Sequence, residues 1–419
     1  MESTAALPKT GRVSPWVLAR LLAALVTMSC LSQFYRVSNS VIAPELMREL
    51  GLSSEQLGLA GGAFFITLLI AQIPVGIWFD RYGARITLTL LSVFSVIGAI
   101  MVSRATTANE LIIARAIIGL GCAANFMALV FLLSRWVEPA RYTAMLATGF
   151  ALSNIGTLAA ATPLAWAAAT FGWRNTFLFL GLITAIGTAQ FWIVIRDRPP
   201  GYAIQVPQRS TLTEELRGLM TVFRTRGLFP ILAMHTFAYA TQLTIIGVWA
   251  GPYLFDVYGL DGIARGNVLL AMGFSQIAGV FSYGPLDRIF GSRKKVVIGG
   301  VVVVVVLLLL LAALSHPPLW LGVSLLIAVT FVASYGVVIV SQGRALFPDH
   351  LAGRGATTVN MAQLFGLMGL PIVTGMIVGA FPQAGGIAPE IAYRTAFAAL
   401  ALGNLIGLVV YLRSIDSRP

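Results

Sequence analysis

The chain has 419 residues, of which 58% are hydrophobic and only 11% are charged, and its mean hydropathy is +0.86. Soluble domains carry roughly 25% charged residues, so this composition excludes a water-soluble globular protein. The net charge of +12 does not indicate a nucleic-acid partner, because most Lys and Arg residues lie in short segments between apolar runs. Both cysteines lie inside such runs, so no disulfide framework is expected.

Twelve apolar runs follow one another along the chain, each near the ~20 residues needed to cross a bilayer. The first run is too long for a cleaved signal segment and no small-residue cleavage site follows it, so it is predicted to be an uncleaved span. The predicted spans are 16–43, 56–79, 86–106, 109–136, 143–169, 175–195, 229–255, 265–286, 296–314, 319–343, 355–380 and 392–412.

One polar segment divides the chain after the sixth span. It begins at Arg196-Asp197-Arg198-Pro199-Pro200-Gly201 and continues into a predicted amphipathic helix from Thr211 to Arg224. The sequence therefore predicts an N-terminal six-helix bundle over residues 1–195, a cytoplasmic linker over 196–228 and a C-terminal six-helix bundle over 229–419.

The distribution of Lys and Arg predicts the orientation of the chain. With the N-terminus inside, 21 of the 28 basic residues lie on the cytoplasmic side and five lie outside. The other two, Arg36 and Arg115, lie within spans. We therefore expect a multi-pass protein of a bacterial-type inner membrane, with both termini in the cytoplasm.

Two charged turns repeat the same signature, with Asp80 and Asp287 placed 207 residues apart. The first is Gly76-Ile77-Trp78-Phe79-Asp80-Arg81-Tyr82-Gly83-Ala84-Arg85, between the second and third spans. The second is Tyr283-Gly284-Pro285-Leu286-Asp287-Arg288-Ile289-Phe290-Gly291-Ser292-Arg293-Lys294-Lys295, between the eighth and ninth. A signature repeated half a chain apart indicates duplication, as in secondary transporters whose two halves move around a central site.

These turns resemble the loop between the second and third helices of the major facilitator superfamily, and its copy between the eighth and ninth. The first turn matches the family pattern Gly-x-x-x-Asp-Arg-x-Gly-x-Arg, whereas the second has Tyr283 in place of the leading glycine. Arg115-Ala116-Ile117-Ile118-Gly119-Leu120-Gly121 is similar to the Arg-x-x-x-Gly-x-Gly element of the family. The resemblance implies an all-α membrane protein with twelve transmembrane helices in two six-helix pseudo-symmetric bundles.

The turns are expected to act as a conformational latch. Asp80 can balance a helix dipole, and Arg81 and Arg85 can pair with carboxylates or helix C-termini of the neighbouring bundle. The alternative is that these residues only mark cytoplasmic topology. The expected latch residues are Gly76, Asp80, Arg81, Gly83, Arg85, Asp287, Arg288 and Arg293.

A narrower resemblance lies in the first span. Phe34-Tyr35-Arg36-Val37-Ser38-Asn39 is similar to the tyrosine-arginine element of the organophosphate and anion:cation symporter branches, which implies that Arg36 grips a substrate anion. Those branches can also use a basic residue in the seventh span, where the nearest substitute is His235. The Gly-Pro element of drug-exporting antiporters is missing from the fifth span, which reads Ala151-Leu152-Ser153-Asn154-Ile155-Gly156.

Two arginines are predicted at similar depth, Arg36 in the first span and Arg115 in the fourth. An arginine inside a membrane costs roughly 2.5–3.5 kcal/mol on insertion scales. All 16 Asp and Glu residues fall in loops or at span ends, so a cavity holding these arginines favours an anion. The alternatives are snorkelling of Arg36 to the outer interface and a structural pairing of Arg115 within the N-terminal bundle.

Polar residues on the first, fourth, fifth, seventh, tenth and eleventh spans predict that these spans face the cavity. Each of these residues has helix packing as its alternative role. Histidine and the carboxylates near span ends are candidates for ion coupling, namely His235, Glu45 and Asp256. The expected substrate-binding residues are Arg36, Arg115, Tyr35, Asn39, His235, Tyr239, Gln242, Trp249, Tyr335, Asn360 and Gln363.

These features predict a secondary transporter of a small organic or inorganic anion, driven by co-transported protons or by a counter-anion. The alternatives are a proton-coupled exporter of drug-like or amphipathic compounds, and a non-transporting sensor in the same fold. No enzyme is expected, because Gly119-Leu120-Gly121-Cys122-Ala123-Ala124 lacks the strand that a dinucleotide site requires. We expect no cofactor, no metal site and no nucleic-acid partner, and a functional monomer in the lipid bilayer.

Overall fold

The computed structural model describes residues 14–199, 225, 227–347, 352–383 and 386–416. Within this described part, twelve helices are long and apolar enough to cross a membrane, and no β-strand is formed. The twelve predicted spans are confirmed. They are Pro15–Leu50, Ser54–Phe79, Arg81–Arg104, Ala108–Trp136, Ala144–Phe171, Trp173–Val194, Leu228–Tyr258, Gly262–Phe290, Arg293–Ala313, Leu319–Ala345, Thr358–Gly379 and Glu390–Tyr411.

The spans alternate in direction and form two pseudo-symmetric bundles of six. The near end of the molecule is the one where the first span begins and the twelfth span finishes. The far end is the opposite one. The first span packs on the seventh, the second on the eleventh and the fifth on the eighth, and these pairs join the two halves. Most of the predicted linker over 196–228, including the helix expected from Thr211 to Arg224, lies outside the described residues.

The first span is longer than predicted. It continues through Pro44 to Leu50, whereas the apolar run suggested an end at residue 43. It ends at Gly51, whose φ of 64° is the left-handed conformation that commonly stops a helix. Ser53 and Gln56 then form a reciprocal capping box that starts the second span.

The two duplicated turns are built alike. Gly83, with φ of 82°, breaks the helix between the second and third spans, and Asp197 accepts the Arg85 backbone N–H at 2.9 Å. In the second half, Asp416 accepts the Lys294 backbone N–H at 3.1 Å. Each carboxylate follows the last span of its half. Asp197 caps the start of the third span and Asp416 caps the start of the ninth, where unpaired N–H groups and the helix dipole favour a negative charge.

Several spans are interrupted near the middle of the membrane. The fourth consists of Ala108–Cys122 and Asn125–Trp136, and the helix of the fifth breaks at Asn154. The seventh contains a π-helical turn over Ile245–Trp249. Interrupted helices release backbone groups at mid-depth, which is a common property of transporter binding sites.

Close packing between the seventh and eleventh spans depends on Gly366. A Cβ at this position would lie 1.7 Å from the Thr236 carbonyl oxygen, so no larger residue can be accommodated without moving a helix. Gly369 on the same helix has no neighbour within 4 Å of its Cβ position. Of these two glycines, Gly366 is the one the packing requires.

Gly366→Ala is expected to lower the midpoint of thermal unfolding in detergent, because the added methyl group forces the two helices apart. Gly369→Ala is the matched control on the same helix. It is expected to leave the midpoint unchanged or raise it, since alanine favours a helix over glycine by about 1 kcal/mol. Equal midpoints for the two variants would contradict the packing described above.

Candidate functional site

A cavity of about 160 Å³ lies between the two halves at mid-membrane depth. The first, second, fourth and fifth spans line it from one half, and the seventh and eleventh from the other. The second span lines the cavity although it was not predicted to do so. The tenth span was predicted to line the cavity, but none of its residues belongs to the lining. The lining residues are Ser29, Ser32, Gln33, Arg36, Leu68, Gln72, Cys122, Ala123, Asn125, Phe126, Phe150, Ser153, Tyr239, Asn360, Gln363 and Leu364.

Arg36 is the charged side chain of this lining. Its guanidinium carbon lies 6.0 Å from the centroid of the Phe65 ring, and its buried Nε has no hydrogen-bond partner among the described residues. Within the same part of the chain, no carboxylate lies within ion-pair distance of Arg36. The lining contains neither Asp nor Glu, so the cavity carries uncompensated positive charge.

Arg36 is held in place through its neighbour, Tyr35. The Tyr35 carbonyl accepts a 2.6 Å hydrogen bond from Arg115 Nη1, and its hydroxyl lies 2.8 Å from Thr184 Oγ1. Tyr35 is thus tied to the fourth and sixth spans, and this fixes the direction in which Arg36 leaves the helix.

The structure places Arg115 outside the cavity lining, contrary to the expectation that it contacts substrate. Only 1% of its surface is exposed, and its guanidinium carbon lies 5.1 Å from the centroid of the Phe64 ring. The guanidinium therefore binds the first span through a hydrogen bond and packs against an aromatic face. The structural alternative considered from the sequence, a pairing within the first half, describes its contacts better.

Neutral polar groups surround Arg36 on both sides of the cavity. Gln72 and Asn125 come from the first half, and the Asn125 Oδ1 atom is buried without a partner in the described chain. Tyr239, Asn360 and Gln363 come from the second half, where Gln363 Nε2 donates to Asn360 Oδ1. The site can therefore supply one cation and several neutral hydrogen-bonding groups.

An aromatic wall completes the lining. Phe126 and Phe150 stack with ring centroids 5.0 Å apart and an interplanar angle of 22°. They belong to the fourth and fifth spans, next to the helix breaks at residues 123–124 and 154. This wall gives one side of the cavity an apolar surface.

Several predicted binding residues are used for helix packing instead. Gln242 Nε2 donates to the Thr330 carbonyl at 2.6 Å, and Trp249 Nε1 donates to Thr374 Oγ1 at 2.7 Å. Tyr335 donates to Asn404 at 3.2 Å, and the cavity lining contains no residue of the tenth span. Asn39, which is 2% exposed, and His235, which is 1% exposed, also lie outside the lining. The hydrogen bonds of Gln242, Trp249 and Tyr335 join spans of the same half. Sequence spacing alone could not distinguish such packing contacts from ligand contacts.

Two coupling candidates have partners in the structure. Glu45 forms an ion pair with Arg265 at 2.5 Å, and the Arg265 side chain is only 1% exposed. Asp256 accepts hydrogen bonds from the Tyr393 hydroxyl at 2.5 Å and from the Ala388 N–H at 3.0 Å. The first contact joins the two halves, and the second lies within the C-terminal half.

Hydrogen bonds across the two halves cluster at the far end. Besides the Glu45–Arg265 pair, Arg265 Nη2 donates to the Val41 carbonyl at 3.2 Å, and Gly251 N–H donates to Ser40 Oγ at 3.0 Å. Thr162 with Asn267, and Ser54 with Gln383, add two further bonds. These contacts close the far end of the cavity in this conformation.

The expected latch differs from its prediction. Arg85 Nε donates to the Trp192 carbonyl at 2.9 Å and its guanidinium carbon lies 4.1 Å from the ring centroid, so Arg85 braces its own half rather than the neighbouring one. Arg81 lies 5.4 Å from the Tyr82 ring, and Arg288 is exposed. The side chains of Asp80 and Asp287 lie outside the described residues.

Sequence reasoning missed several lining residues. Ser29, Ser32 and Gln33 precede Arg36 by one to two helical turns, and their spacing with Arg36 was a usable signal. Gln72 is an amide within an apolar span, which was another signal. Ser153 lies beside a helix break whose sequence contains no proline, and the break could not be anticipated from that sequence.

Residues 22–368 match the family described as Major Facilitator Superfamily. The hexuronate transporter of Escherichia coli strain K12 is 23% identical, with 94% of each chain covered. The probable sulfoacetate transporter SauU of Cupriavidus necator is 23% identical over 58% of each chain. The chain thus spans less than two thirds of the length of several curated relatives that it matches.

A crystal structure of a bacterial homologue of the human lysosomal transporter Spinster, in an inward-facing and unoccupied conformation, has the same fold. Its TM-score is 0.77 at 16% identity, and the superposition covers 95% of this chain and 97% of that one. The family match spans most of the twelve-helix chain. The protein belongs to the Major Facilitator Superfamily, a family of membrane transporters.

Glu45→Gln is expected to lower the free energy of unfolding by about 1–3 kcal/mol, because the buried Arg265 loses its charged partner. Adding Arg265→Gln should recover part of this loss, since the double variant leaves no buried charge unpaired. Thermal unfolding of the four forms measures the coupling.

Glu49→Gln serves as the control for Glu45→Gln. Glu49 pairs with Arg174 in the same half, and both side chains are about 40% exposed, so a loss below ~1 kcal/mol is expected. Simple addition of the losses from Glu45→Gln and Arg265→Gln would contradict an energetically coupled pair.

Proposed function

We propose that this protein is a secondary transporter of a small organic or inorganic anion and works by alternating access between its two halves. The observation that carries the proposal is the Arg36 guanidinium in a cavity whose lining contains no carboxylate. A half-buried cation inside the membrane without a counter-charge is costly, and an anionic cargo would supply that charge.

The volume of the cavity favours a small cargo. Its volume of about 160 Å³ is below the range of roughly 300–1,000 Å³ that is typical of sites for drug-sized ligands. The planar guanidinium suits a carboxylate, sulfonate or nitrate, because these groups accept two parallel hydrogen bonds. The neutral amides around it would bind hydroxyl or carbonyl groups of an organic anion.

The division of the site between the halves supports alternating access. The cation comes from the first half, whereas Tyr239, Asn360 and Gln363 come from the second. A cargo held by both groups favours conformations in which the halves approach around it, and this biases the equilibrium between states. The far-end contacts of Glu45, Ser40 and Ser54 would open and re-form during each cycle.

The membrane potential requires a second ion. Moving one negative charge inward costs about 2.3 kcal/mol per 100 mV of inside-negative potential. We propose that uptake is coupled to a proton or proceeds by exchange for another anion, in the inner membrane and with both termini in the cytoplasm. The names of the sulfoacetate and hexuronate transporters among the relatives agree with an anionic cargo.

Arg36→Ala is expected to abolish uptake of radiolabelled anion into proteoliposomes. Arg36→Lys should lower uptake about tenfold or more, because the bidentate contact is lost and a bond to a charged group contributes ~1.5–3 kcal/mol. Arg48→Ala, an exposed arginine on the same helix, is the control and should retain uptake. Wild-type rates in Arg36→Ala would contradict the role of this residue.

A panel of glucuronate, nitrate, sulfoacetate, a phosphate ester and a cationic drug identifies the cargo class by thermal stabilisation. A ligand at 100 times its dissociation constant adds about 2.7 kcal/mol to the free energy of unfolding. We expect one or more of the anions to stabilise the wild type but not Arg36→Ala. Stabilisation by the drug alone would favour the exporter alternative.

A further inference from the structure

His235 lies in the seventh span and is 1% exposed. Neither of its ring nitrogens, Nδ1 or Nε2, makes a well-aligned hydrogen bond among the described residues. A neutral imidazole has one donor and one acceptor, and both are expensive to bury unpaired. The ring therefore has unused capacity to bind a proton or to donate a hydrogen bond.

Gln363 connects this ring to the cavity. Its side chain lies beside the His235 ring, within reach of a side-chain hydrogen bond, and its Nε2 donates to Asn360 Oδ1. Gln363 and Asn360 both line the cavity that contains Arg36. A continuous polar path thus leads from a buried titratable group to the proposed anion site.

The spans packed against the seventh also carry charged and titratable groups. Among the described residues, Gln363 is the polar side chain that contributes to the electrostatic surroundings of His235. None of these groups forms a hydrogen bond or an ion pair with His235 in the described part of the chain. They include Tyr35, Arg36 and Glu45 on the first span, Arg265 on the eighth, Tyr335 and Arg344 on the tenth, and Glu390, Tyr393, Arg394 and Tyr411 on the twelfth.

The remaining coupling candidates have other partners. Glu45 is paired with Arg265 at the far end, and Asp256 accepts bonds from Tyr393 and Ala388. Within the described chain, His235 is thus the coupling candidate that combines full burial, ring nitrogens without a well-aligned hydrogen bond and contact with a residue of the cavity lining.

We propose that His235 is the proton-binding site of the transport cycle, and that Gln363 and Asn360 link its protonation to anion binding; this rests on the proposed anion transport. Protonation places an imidazolium behind Gln363, where a ring N–H donates to the amide oxygen. The anion in the cavity then supplies the counter-charge that the buried imidazolium lacks. By linkage, each ligand strengthens the binding of the other, which gives symport of one proton with one monoanion.

The experiment uses His235→Gln in proteoliposomes, with the radiolabelled monoanions glucuronate and nitrate as probes. Two modes are compared, namely anion exchange at equal pH and accumulation driven by an acidic exterior. An electroneutral symporter in a gradient of one pH unit accumulates its anion about tenfold, because one unit corresponds to a tenfold ratio of protons. His235→Gln is expected to lose this accumulation. Exchange should weaken at low anion concentration, since the protonated ring no longer strengthens binding, and should remain measurable at saturating anion, because Arg36 still binds the cargo.

Controls make the outcomes distinct. His316→Gln changes a histidine that is 80% exposed at the far end, and it should retain both modes. His235→Asn is a second variant in case His235→Gln folds poorly. Full accumulation in a folded His235 variant would overturn this inference while leaving anion transport intact. Loss of accumulation in Glu45→Gln, together with full accumulation in His235→Gln, would also overturn this inference. Wild-type vesicles that exchange neither probe would overturn the proposed function itself.

Discussion

An arginine without a counter-charge, placed between two halves of a membrane protein, is the constraint on which the rest of this site depends. The guanidinium of Arg36 cannot be stabilised by lipid, and within the described chain no carboxylate approaches it. The surrounding structure fixes its position rather than neutralising it. Arg115 and Thr184 hold Tyr35, and Phe65 offers an aromatic face to the charge.

The two halves differ in what they bring to the cavity. The first half provides the cation, the aromatic wall and the interrupted helices of the fourth and fifth spans. The second provides neutral amides and a phenol, with a buried histidine behind them. Because the charge lies on the first half and three of the neutral polar groups lie on the second, the energy of an occupied site would depend on how far apart the halves are. In the proposed function, cargo and conformation are linked in this way.

The contacts within each half are of a different kind from those between halves. Asp197 and Asp416 brace the duplicated turns inside their own halves, and Arg85 adds to the first of these contacts. Between the halves, the far end is closed by hydrogen bonds and one ion pair, with Gly58 against Gly375 allowing close backbone approach. In the proposed cycle, each half moves as a unit and the contacts between the halves separate and form again.

The sequence by itself determined the twelve spans and their pairing into two bundles, because hydropathy and a repeated turn are local properties of the chain. The sequence also identified Arg36, because a charged residue within an apolar run is recognisable whichever side of the helix it lies on. It could not separate Gln363, which lines the cavity, from Gln242, which bonds to Thr330, because both are amides on apolar helices. Only the packing of the helices decided that difference, and it also decided that Arg115 anchors Tyr35 and that Glu45 pairs across the halves.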